Sequence, residues 1–312
     1  MATNSYNMRI LFYKIIYFPF INLLIRSTLR LINKVLKKPI RTAVSGIVTY
    51  TMPDGKQFRL STNESCFVSH KLYWDNPINY EFTPIFIDLI PHCHSFFDVG
   101  ANIGYFTVLA KIYNPDIQVH AFEPSEGPFY YLAENIKLNH SRQSQGFKTA
   151  LAGMNGIIQF FDVVSKYSYL KYHLNGSSST QNETGIQKPN QYNVEAITLD
   201  TFVETHQIHS LDLIKMDTEC TEQFILQKGH ATIEKFKPII ISEVYPEIED
   251  EFEVEIKKHD YQIYQYLPDG LRHIQSFKET NLAYKGAGTF FDRNFFLVPT
   301  EKVAIIQKHI II

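Results

Sequence analysis

Apolar residues along the middle of the chain recur with two different spacings, which predict strands and helices in turn. Residues 96–99 are mostly apolar, as in a strand that is buried on both faces, whereas residues 103–113 carry apolar side chains at helical spacing. A second short strand is predicted over residues 117–122 and a second helix over residues 129–138. This alternation predicts an α/β domain built on a parallel sheet.

The same patterns organise the rest of the chain. Pro53-Asp54-Gly55 predicts a hairpin turn between two short strands, and a helix is predicted over residues 80–90. Further strands are predicted over residues 147–152, 157–163 (antiparallel), 238–242 and within 211–219. We divide the chain into an N-terminal basic helical segment (1–43), a hairpin and helix (44–94), a core domain (95–300) and a C-terminal tail (301–312). Residues 165–191 are poor in apolar side chains and predict a flexible insertion or a lid.

The turn between the first core strand and its helix carries the most specific signal. Gly100 and Gly104 lie where the strand passes into the helix, so backbone N–H groups can face a ligand there. Asn102 lies between them and can cap the helix or bond a ligand. Asp98 ends the strand and directs a carboxylate to the same crevice. Glu123 ends the next strand, where its carboxylate can accept hydrogen bonds from both hydroxyls of a ribose.

The spacing of the two glycines discriminates between nucleoside cofactors. Dinucleotide sites use G-x-G-x-x-G, because two close glycines let the backbone approach a pyrophosphate. Here the pattern is G-x-x-x-G, and Asn102 occupies the position where a side chain would crowd a diphosphate. The motif therefore favours S-adenosylmethionine over NAD. A nicotinamide-dependent oxidoreductase remains the alternative, since it would share the strand-helix-strand unit.

Three carboxylates follow later predicted strands. Asp217 and Glu219 come after the apolar run within 211–219, and Glu243 ends the strand over 238–242. Open α/β sheets bind ligands at the carboxyl ends of their strands, so these acids are candidates for a general base, a hydroxyl-binding group or ligands of a divalent cation. The structural alternative is that Thr218 or Glu219 caps a helix over residues 221–230.

Charge is distributed unevenly along the 312 residues. Residues 1–53 hold eight basic and no acidic side chains, while the remainder holds 22 basic and 32 acidic ones. This excess of acidic residues after residue 53 argues against general binding to nucleic acid. Three widely separated cysteines suggest a reducing compartment, and we expect a cytoplasmic protein.

The basic N-terminal segment leaves its own role open. Residues 10–25 are apolar except for Lys14 and Asn22, and Pro19 interrupts them, so they fall short of a clean membrane span. Farther on, apolar residues recur at helical spacing beside a face of Arg and Lys. Residues 9–41 could contact the inner face of a membrane peripherally, pack on the catalytic domain or a partner, or form an uncleaved leader.

Six short motifs follow one another between residues 96 and 299. They are DVGANIGYFT (98–107), FEP (122–124), ITLD (197–200), DLIKMDTE (212–219), Lys237-Pro238 with Glu243, and NFFLVP (294–299). In this order they resemble the FkbM family of methyltransferases. The resemblance implies a class I methyltransferase fold, a Rossmann-like, doubly wound and mainly parallel seven-stranded sheet with an antiparallel last strand. It also implies O-methylation, dependent on S-adenosylmethionine, of hydroxyls on sugars, glycolipids or secondary metabolites.

The resemblance also assigns residues. Asp98, Gly100, Asn102, Gly104 and Glu123 match the cofactor-binding motifs of the family. Asp217 and Glu219 match its second motif. One departure stands out, since Cys220 replaces the glycine that usually follows D-x-E. A side chain there could narrow the acceptor pocket, so a noncatalytic cofactor-binding or membrane-associated module is kept as an alternative.

Overall fold

A nine-stranded mixed sheet dominates the part of the chain that the structure describes. The structure is a computed structural model, and it describes residues 2–162, 169–174, 190–280 and 293–311. The predicted lid over residues 165–191 lies mostly outside them. The strands are β1 (Gly46–Thr51), β2 (Gln57–Thr62), β3 (Ser95–Val99), β4 (Gln118–Phe122), β5 (Ser144–Phe147), β6 (Ala150–Leu151), β7 (Gly156–Asp162), β8 (Asn190–Ile197), β9 (Leu213–Met216), β10 (Ile239–Glu243), β11 (Tyr261–Leu267), β12 (Gly270–Ile274), β13 (Asn294–Pro299) and β14 (Ile310–Ile311).

Helices cover both faces of the large sheet and extend beyond it at the N-terminus. They are α1 (Ala2–Ile16), α2 (Pro19–Ile32), α3 (Phe67–Asp75), α4 (Thr83–Leu89), α5 (Tyr105–Tyr113), α6 (Glu126–Leu138), α7 (Leu199–Thr205), α8 (Glu222–Gln227), α9 (His230–Phe236), α10 (Glu249–Ile256) and α11 (Val303–Ile306). Short 3₁₀ turns extend several of their ends.

The order of strands in the large sheet is β5-β4-β3-β9-β10-β13-β11-β12-β14. Strands β5, β4, β3, β9 and β10 run parallel, and β13 is antiparallel to both of its neighbours, β10 and β11. The seven strands from β5 to β11 therefore form the class I methyltransferase sheet that the sequence predicts. Two strands are added at the β11 edge, and the last of them, β14, comes from the C-terminal tail.

Two apolar layers hold the sheet between its helices. Strand β3 is buried along its whole length, and consecutive side chains point to opposite faces. Phe96 packs beside Phe86 on one face, with ring centroids 5.3 Å apart, and Phe97 packs beside Phe202 on the other at 5.6 Å. A strand covered on both faces needs a continuous apolar run, which is why its position was predictable from sequence.

Three predicted elements differ from the structure. The predicted helix over 80–90 is shorter, because Pro84 favours the first turn of a helix and α4 starts at Thr83. The predicted strand over 147–152 divides between β5 and β6. The predicted helix over 221–230 is two short helices that are separated at Gly229. A small sheet of β6, β8 and β7 lies beside the main one, and β7 is antiparallel to β8, as predicted for residues 157–163.

The N-terminal hairpin is bound to the core by two asparagine side chains, from Asn135 in α6 and from Asn139 directly after it. Asn139 accepts a hydrogen bond from the Arg59 N–H at 2.8 Å and donates to the Arg59 carbonyl at 2.6 Å. Asn135 does the same with Ser61, at 2.6 and 3.2 Å, and also donates to the carbonyl of Ile103 at 2.8 Å. The two amides complete the outer edge of β2, so the hairpin joins the body that contains the large sheet.

The N-terminal helices α1 and α2 meet at a bend of 71° near Pro19. Among the described residues no single helix is long and apolar enough to cross a membrane, although Met8–Ile16 and Pro19–Ile32 meet the criterion together as a bent pair. Helix α2 contacts the core through polar residues, since Asn22 is 0% exposed and Arg26 is 2% exposed.

Candidate active site

The turn between β3 and α5 is folded tightly against neighbouring elements. Gly100 has a φ of +71°, and a Cβ there would lie 1.9 Å from the carbonyl oxygen of Asp217. Gly104 has a φ of +83°, and a Cβ there would lie 2.6 Å from Cδ1 of Leu132 in α6. Only glycine fits both the left-handed backbone and the missing space. The absence of a side chain at Gly100 thus leaves space for the end of β9, and the absence of one at Gly104 leaves space for α6.

The N–H groups of residues 100–104 are all bonded within the protein, which corrects the prediction that they face a ligand. The carbonyl of Phe122 accepts from the first two, at 3.0 and 2.9 Å, and the Glu123 carboxylate accepts from the Asn102 N–H at 2.9 Å. The Asn102 side chain and a carbonyl of the turn accept the other two, each at 2.8 Å. Asn102 therefore does not cap α5. A turn with no spare donors is poorly suited to phosphate.

Glu123 is held rigidly just after β4. Its Oε2 accepts from the Asn102 N–H, and its Oε1 accepts from the Ser125 N–H at 2.8 Å. Burial raises the pKa of Glu123 to about 7, although the two N–H donors oppose the shift. Each carboxylate oxygen keeps a second lone pair, so the pair of oxygens can still accept from two ligand hydroxyls.

Lys215 connects β3, the glycine turn and the end of β9. Its Nζ donates to the Gly100 carbonyl at 2.9 Å and lies 3.3 Å from Oδ2 of Asp217. Oδ1 of Asp98 is 3.8 Å away. Burial lowers the pKa of Lys215, but the carboxylates of Asp217 and Asp98 outweigh it and raise that pKa overall. The buried ammonium thus compensates both acids.

Three further carboxylates, those of Glu219, Glu243 and Glu81, lie near Asp217. Burial, then the charge of Asp217, raises the pKa of both Glu219 and Glu243, so this pair holds protons near neutral pH. Glu81, which comes from the segment before α4, has its pKa raised to about 7 by burial and by Asp217. The hydroxyl of Tyr245 bonds Glu243 and opposes its shift.

A cavity of about 800 Å³ opens at the carboxyl ends of these strands. Six of the eight predicted site residues line it, namely Gly100, Asn102, Glu123, Asp217, Glu219 and Glu243. Because the strands end in the order β4, β3, β9 and β10, Glu123 lies about two strand spacings, roughly 10 Å, from the end of β9. One cavity therefore joins the carboxylate of Glu123 to the cluster of acids.

Asp98 and Gly104 do not line this cavity, which differs from the prediction that both bind the cofactor. The Asp98 side chain is 1% exposed, and its Oδ2 accepts from the Thr107 hydroxyl at 2.6 Å. With Lys215 near the other oxygen, the carboxylate is held beneath the turn rather than in the crevice. Asp98 therefore positions the turn and the lysine.

Sequence reasoning missed Lys215, Glu81 and Tyr245. A lysine inside the apolar run of β9 was a usable signal, because an interior lysine needs an anionic partner. Tyr245 lies two residues after Glu243 and could have been included with it. Glu81 had no local signal, since only the packing of the segment before α4 brings it to the acids.

Capping does not account for the acids after β9. Helix α8 begins at Glu222, and its N-cap residue, Thr221, makes no capping hydrogen bond with its side chain. The side chain of Glu222 is 1% exposed and accepts from the N–H and the hydroxyl of Thr218, at 2.5 and 2.8 Å. Neither Thr218 nor Glu219 caps this helix, contrary to the structural alternative.

Cys220 occupies a strained position in the same loop. Glu219 and Cys220 have φ of +57° and +72°, in the left-handed region that favours glycine. Burial, then the charge of Glu222, raises the pKa of the Cys220 thiol to about 12. The side chain is therefore a thiol at neutral pH, and a thiol is a weaker nucleophile than a thiolate.

Within the described ranges, no group of three or more His, Cys, Asp or Glu side chains has an arrangement that could hold a metal ion. Asp217, one of the acids at the cavity, is ion-paired with Lys215 instead. The described structure thus gives no support to a divalent cation at Asp217, Glu219 and Glu243.

The fold and this cavity define an α/β methyltransferase architecture, and comparison with known families is more specific. The model of the methyltransferase FkbM domain matches residues 98–279. The chain therefore belongs to the FkbM methyltransferase family, as its motifs predicted.

Individual relatives are distant or cover little of the chain. The 31-O-demethyl-FK506 methyltransferase FkbM of Streptomyces tacrolimicus is 54% identical over 39 residues, which are 12% of this chain and 15% of that protein. The solved methyltransferase FkbM from Methylobacillus flagellatus KT is 13% identical, with a TM-score of 0.43 over 66% of this chain and 43% of its own. M. jannaschii TYW2 in complex with AdoMet is 14% identical, with a TM-score of 0.39 over 83% of this chain and 87% of its own. The chain spans less than half of the first two relatives.

Proposed function

We propose that the chain transfers a methyl group from S-adenosylmethionine to a hydroxyl of a sugar, a glycolipid or a secondary metabolite. The observation that carries this proposal is the single cavity that joins Glu123 to Asp217 and its neighbouring acids. Membership of the FkbM family favours this donor over a nicotinamide dinucleotide, and the bonded N–H groups of residues 100–104 argue against a pyrophosphate.

The residues around Glu123 fit the nucleoside of this donor. The fixed carboxylate can accept from both ribose hydroxyls, and apolar side chains of the same cavity, including Leu151 and Phe160, suit a flat base. Gly100 lines the wall toward β9, Asn102 lies beside Glu123, and both would border the methionine portion. The bound donor supplies a methyl group that its sulfonium has already activated, so the protein mainly has to align an acceptor and exclude water.

The acids divide into two roles under this proposal. Asp217 is ion-paired with Lys215 and is the candidate that takes the proton released by the acceptor hydroxyl. Glu243 is protonated near neutral pH because its pKa is raised, so it can donate a hydrogen bond to the acceptor or to the neighbouring acid. Glu219, whose pKa is also raised, helps to orient the hydroxyl.

Substitution of the acids tests these roles. We expect Asp217→Asn to lower turnover about 100-fold or more, the usual scale for loss of a general base. Glu219→Gln and Glu243→Gln should lower it less, because a neutral amide still forms hydrogen bonds. Affinity for S-adenosylhomocysteine, measured by calorimetry, should stay close to wild type in all three. Wild-type turnover of Asp217→Asn would refute the assignment.

Radiolabelled methyl transfer to cell-extract glycans, lipids and small metabolites tests the reaction itself. Label should appear in an acceptor fraction with the wild-type chain and be lost with Glu123→Ala, because that variant lacks the acceptor for the ribose hydroxyls. Calorimetric titration with S-adenosylmethionine and with NAD distinguishes the donor. Donor binding without any labelled product would favour the noncatalytic module, in which Cys220 closes the acceptor site.

A further inference from the structure

Helix α1 exposes one continuous apolar stripe. Met8, Leu11, Phe12 and Ile15 recur at helical spacing, and they are 68%, 57%, 58% and 48% exposed. Side chains of this size usually face a core. The elements of this chain leave the stripe uncovered within the described residues.

Helix α2 exposes a second apolar stripe because it packs with its polar side inward. Asn22 donates to the Ala43 carbonyl and accepts from the Ser45 N–H, each at 3.0 Å, and Arg26 donates to the Ser45 carbonyl at 2.8 Å. The opposite side carries Phe20, Leu24 and Leu31, which are 63%, 53% and 65% exposed. We call the two stripes together the N-terminal apolar surface.

The face of Arg and Lys that the sequence predicts beside the apolar spacing is only partly available to a ligand or membrane. Arg26 is buried, and Arg30 donates to the Tyr73 carbonyl at 3.1 Å and lies over the Tyr73 ring. Apart from Arg30 and Arg41, which are exposed but bonded to Tyr73 and Asp75, the exposed cations of the basic N-terminal segment are Arg9, Lys14, Lys34, Lys37 and Lys38. They flank the N-terminal apolar surface in a segment that has no acidic residue before Asp54.

We propose that the N-terminal apolar surface inserts into the interface of an anionic lipid bilayer, with α1 and α2 lying on the membrane rather than crossing it. Apolar stripes bounded by Lys and Arg match acyl chains bounded by anionic headgroups. The 71° bend at Pro19 keeps either helix too short to span alone. The polar contacts of Asn22 and Arg26 fix α2 to the core, so the apolar residues remain outside.

Helix α3 relates this surface to the cavity. The carbonyl of Tyr73 in α3 accepts a hydrogen bond from Arg30 of α2, and Phe67 and Lys71 of the same helix line the cavity. Asp75 at the end of α3 also lines the cavity and is bound by Arg41, with an Nη2 to Oδ1 distance of 2.6 Å. A bilayer bound to the N-terminal apolar surface would therefore be one helix away from the cavity rim.

Vesicle flotation with the full chain tests the proposal. The wild-type chain should float with vesicles of phosphatidylcholine that contain about 30% phosphatidylserine, and float less with phosphatidylcholine alone. Substitution of Phe20, Leu24 and Leu31 by Ser should lower the partition coefficient about 100-fold, because three half-inserted side chains are lost. The matched control substitutes Met154, Val254 and Ile305, which are 55%, 59% and 42% exposed elsewhere, and should float as wild type.

Charge and depth are tested separately. Lys34→Gln, Lys37→Gln and Lys38→Gln together should lower binding to anionic vesicles about tenfold or more and leave binding to neutral vesicles unchanged. Brominated lipids should quench the fluorescence of the tryptophan in Leu24→Trp but not that of the tryptophan in Val254→Trp. These substitutions are at exposed positions, so circular dichroism should show an unchanged fold.

Three outcomes would overturn the proposal. The first is a wild-type chain that stays with the soluble fraction in both vesicle types. The second is flotation of the Phe20, Leu24 and Leu31 triple variant at the wild-type level. The third is a stable wild-type dimer in light scattering that becomes a monomer in the same triple variant, while neither the wild type nor the variant binds vesicles. The N-terminal apolar surface would then join two copies of the chain.

Discussion

Gly100→Ala should destabilise the chain far more than an ordinary glycine substitution in a turn. The added Cβ would lie 1.9 Å from the Asp217 carbonyl oxygen and 2.9 Å from the carbonyl carbon. Both are backbone atoms, so no side chain can rotate away to relieve the overlap. The turn and the end of β9 would have to separate, which would also disturb the bond from Lys215 to the Gly100 carbonyl.

The expected loss of stability has two parts, and substitution of Gly55 isolates the first of them. A left-handed alanine costs about 1–2 kcal/mol, and overpacking against a fixed backbone costs about 1–3 kcal/mol more. Gly55, in the hairpin turn, has a φ of +86°, and nothing lies within 4 Å of its Cβ position. Gly55→Ala should therefore lose only the backbone part, whereas Gly100→Ala should lose about 2–5 kcal/mol in total.

Urea unfolding of the two variants measures this difference. The free energy of unfolding of each should be compared with wild type at equal denaturant slopes, so that the change reports stability alone. Calorimetry with S-adenosylhomocysteine should also show weaker binding for Gly100→Ala than for Gly55→Ala. If both variants lose the same stability within about 0.5 kcal/mol, the carbonyl of Asp217 does not lie against Gly100 and the reasoning is wrong.

Three further predictions follow from buried charges. The affinity for S-adenosylhomocysteine, measured by calorimetry, should rise about tenfold from pH 6 to pH 8, because the pKa of Glu123 is about 7 and the ionised carboxylate accepts hydrogen bonds better than the acid. Glu123→Gln should remove this dependence of affinity on pH. Lys215→Met should lower the free energy of unfolding by about 3–5 kcal/mol in urea titrations, since it leaves Asp98 buried without its cation, and added Asp98→Asn should restore part of the loss. Glu243→Gln should raise thermal stability at pH 8 but not at pH 5, because a carboxyl whose folded pKa is raised loses stability progressively as pH rises from its ordinary pKa toward the raised one.

The buried strands and their acidic ends were predictable because their patterns are local. Strands β3 and β9 are short apolar runs, and a carboxylate after such a run lies at the ligand-binding edge of a parallel sheet. The positions of Glu123, Asp217 and Glu243 at the cavity therefore followed from sequence. The same reasoning failed for Asp98, because a side chain near the end of a strand can point above or below the turn that follows it.

The remaining differences depend on contacts between distant residues. Glu81 reaches the acids only through the packing of the segment before α4. The amphipathic pattern of α2 showed two faces but not which one meets the core, and the backbone groups of Ala43 and Ser45 decide in favour of the polar face. Strand β8 follows a polar segment, and its partner β7 is far away in sequence.

The two asparagines, in α6 and directly after it, also protect the chain against self-association. Strand β2 would otherwise present free N–H and carbonyl groups at an open sheet edge, which is a template for pairing with a strand from another molecule. The amides of Asn135 and Asn139 imitate a neighbouring strand and occupy those groups. Loss of these side chains would therefore show first as aggregation at high protein concentration, before any effect on chemistry in the cavity.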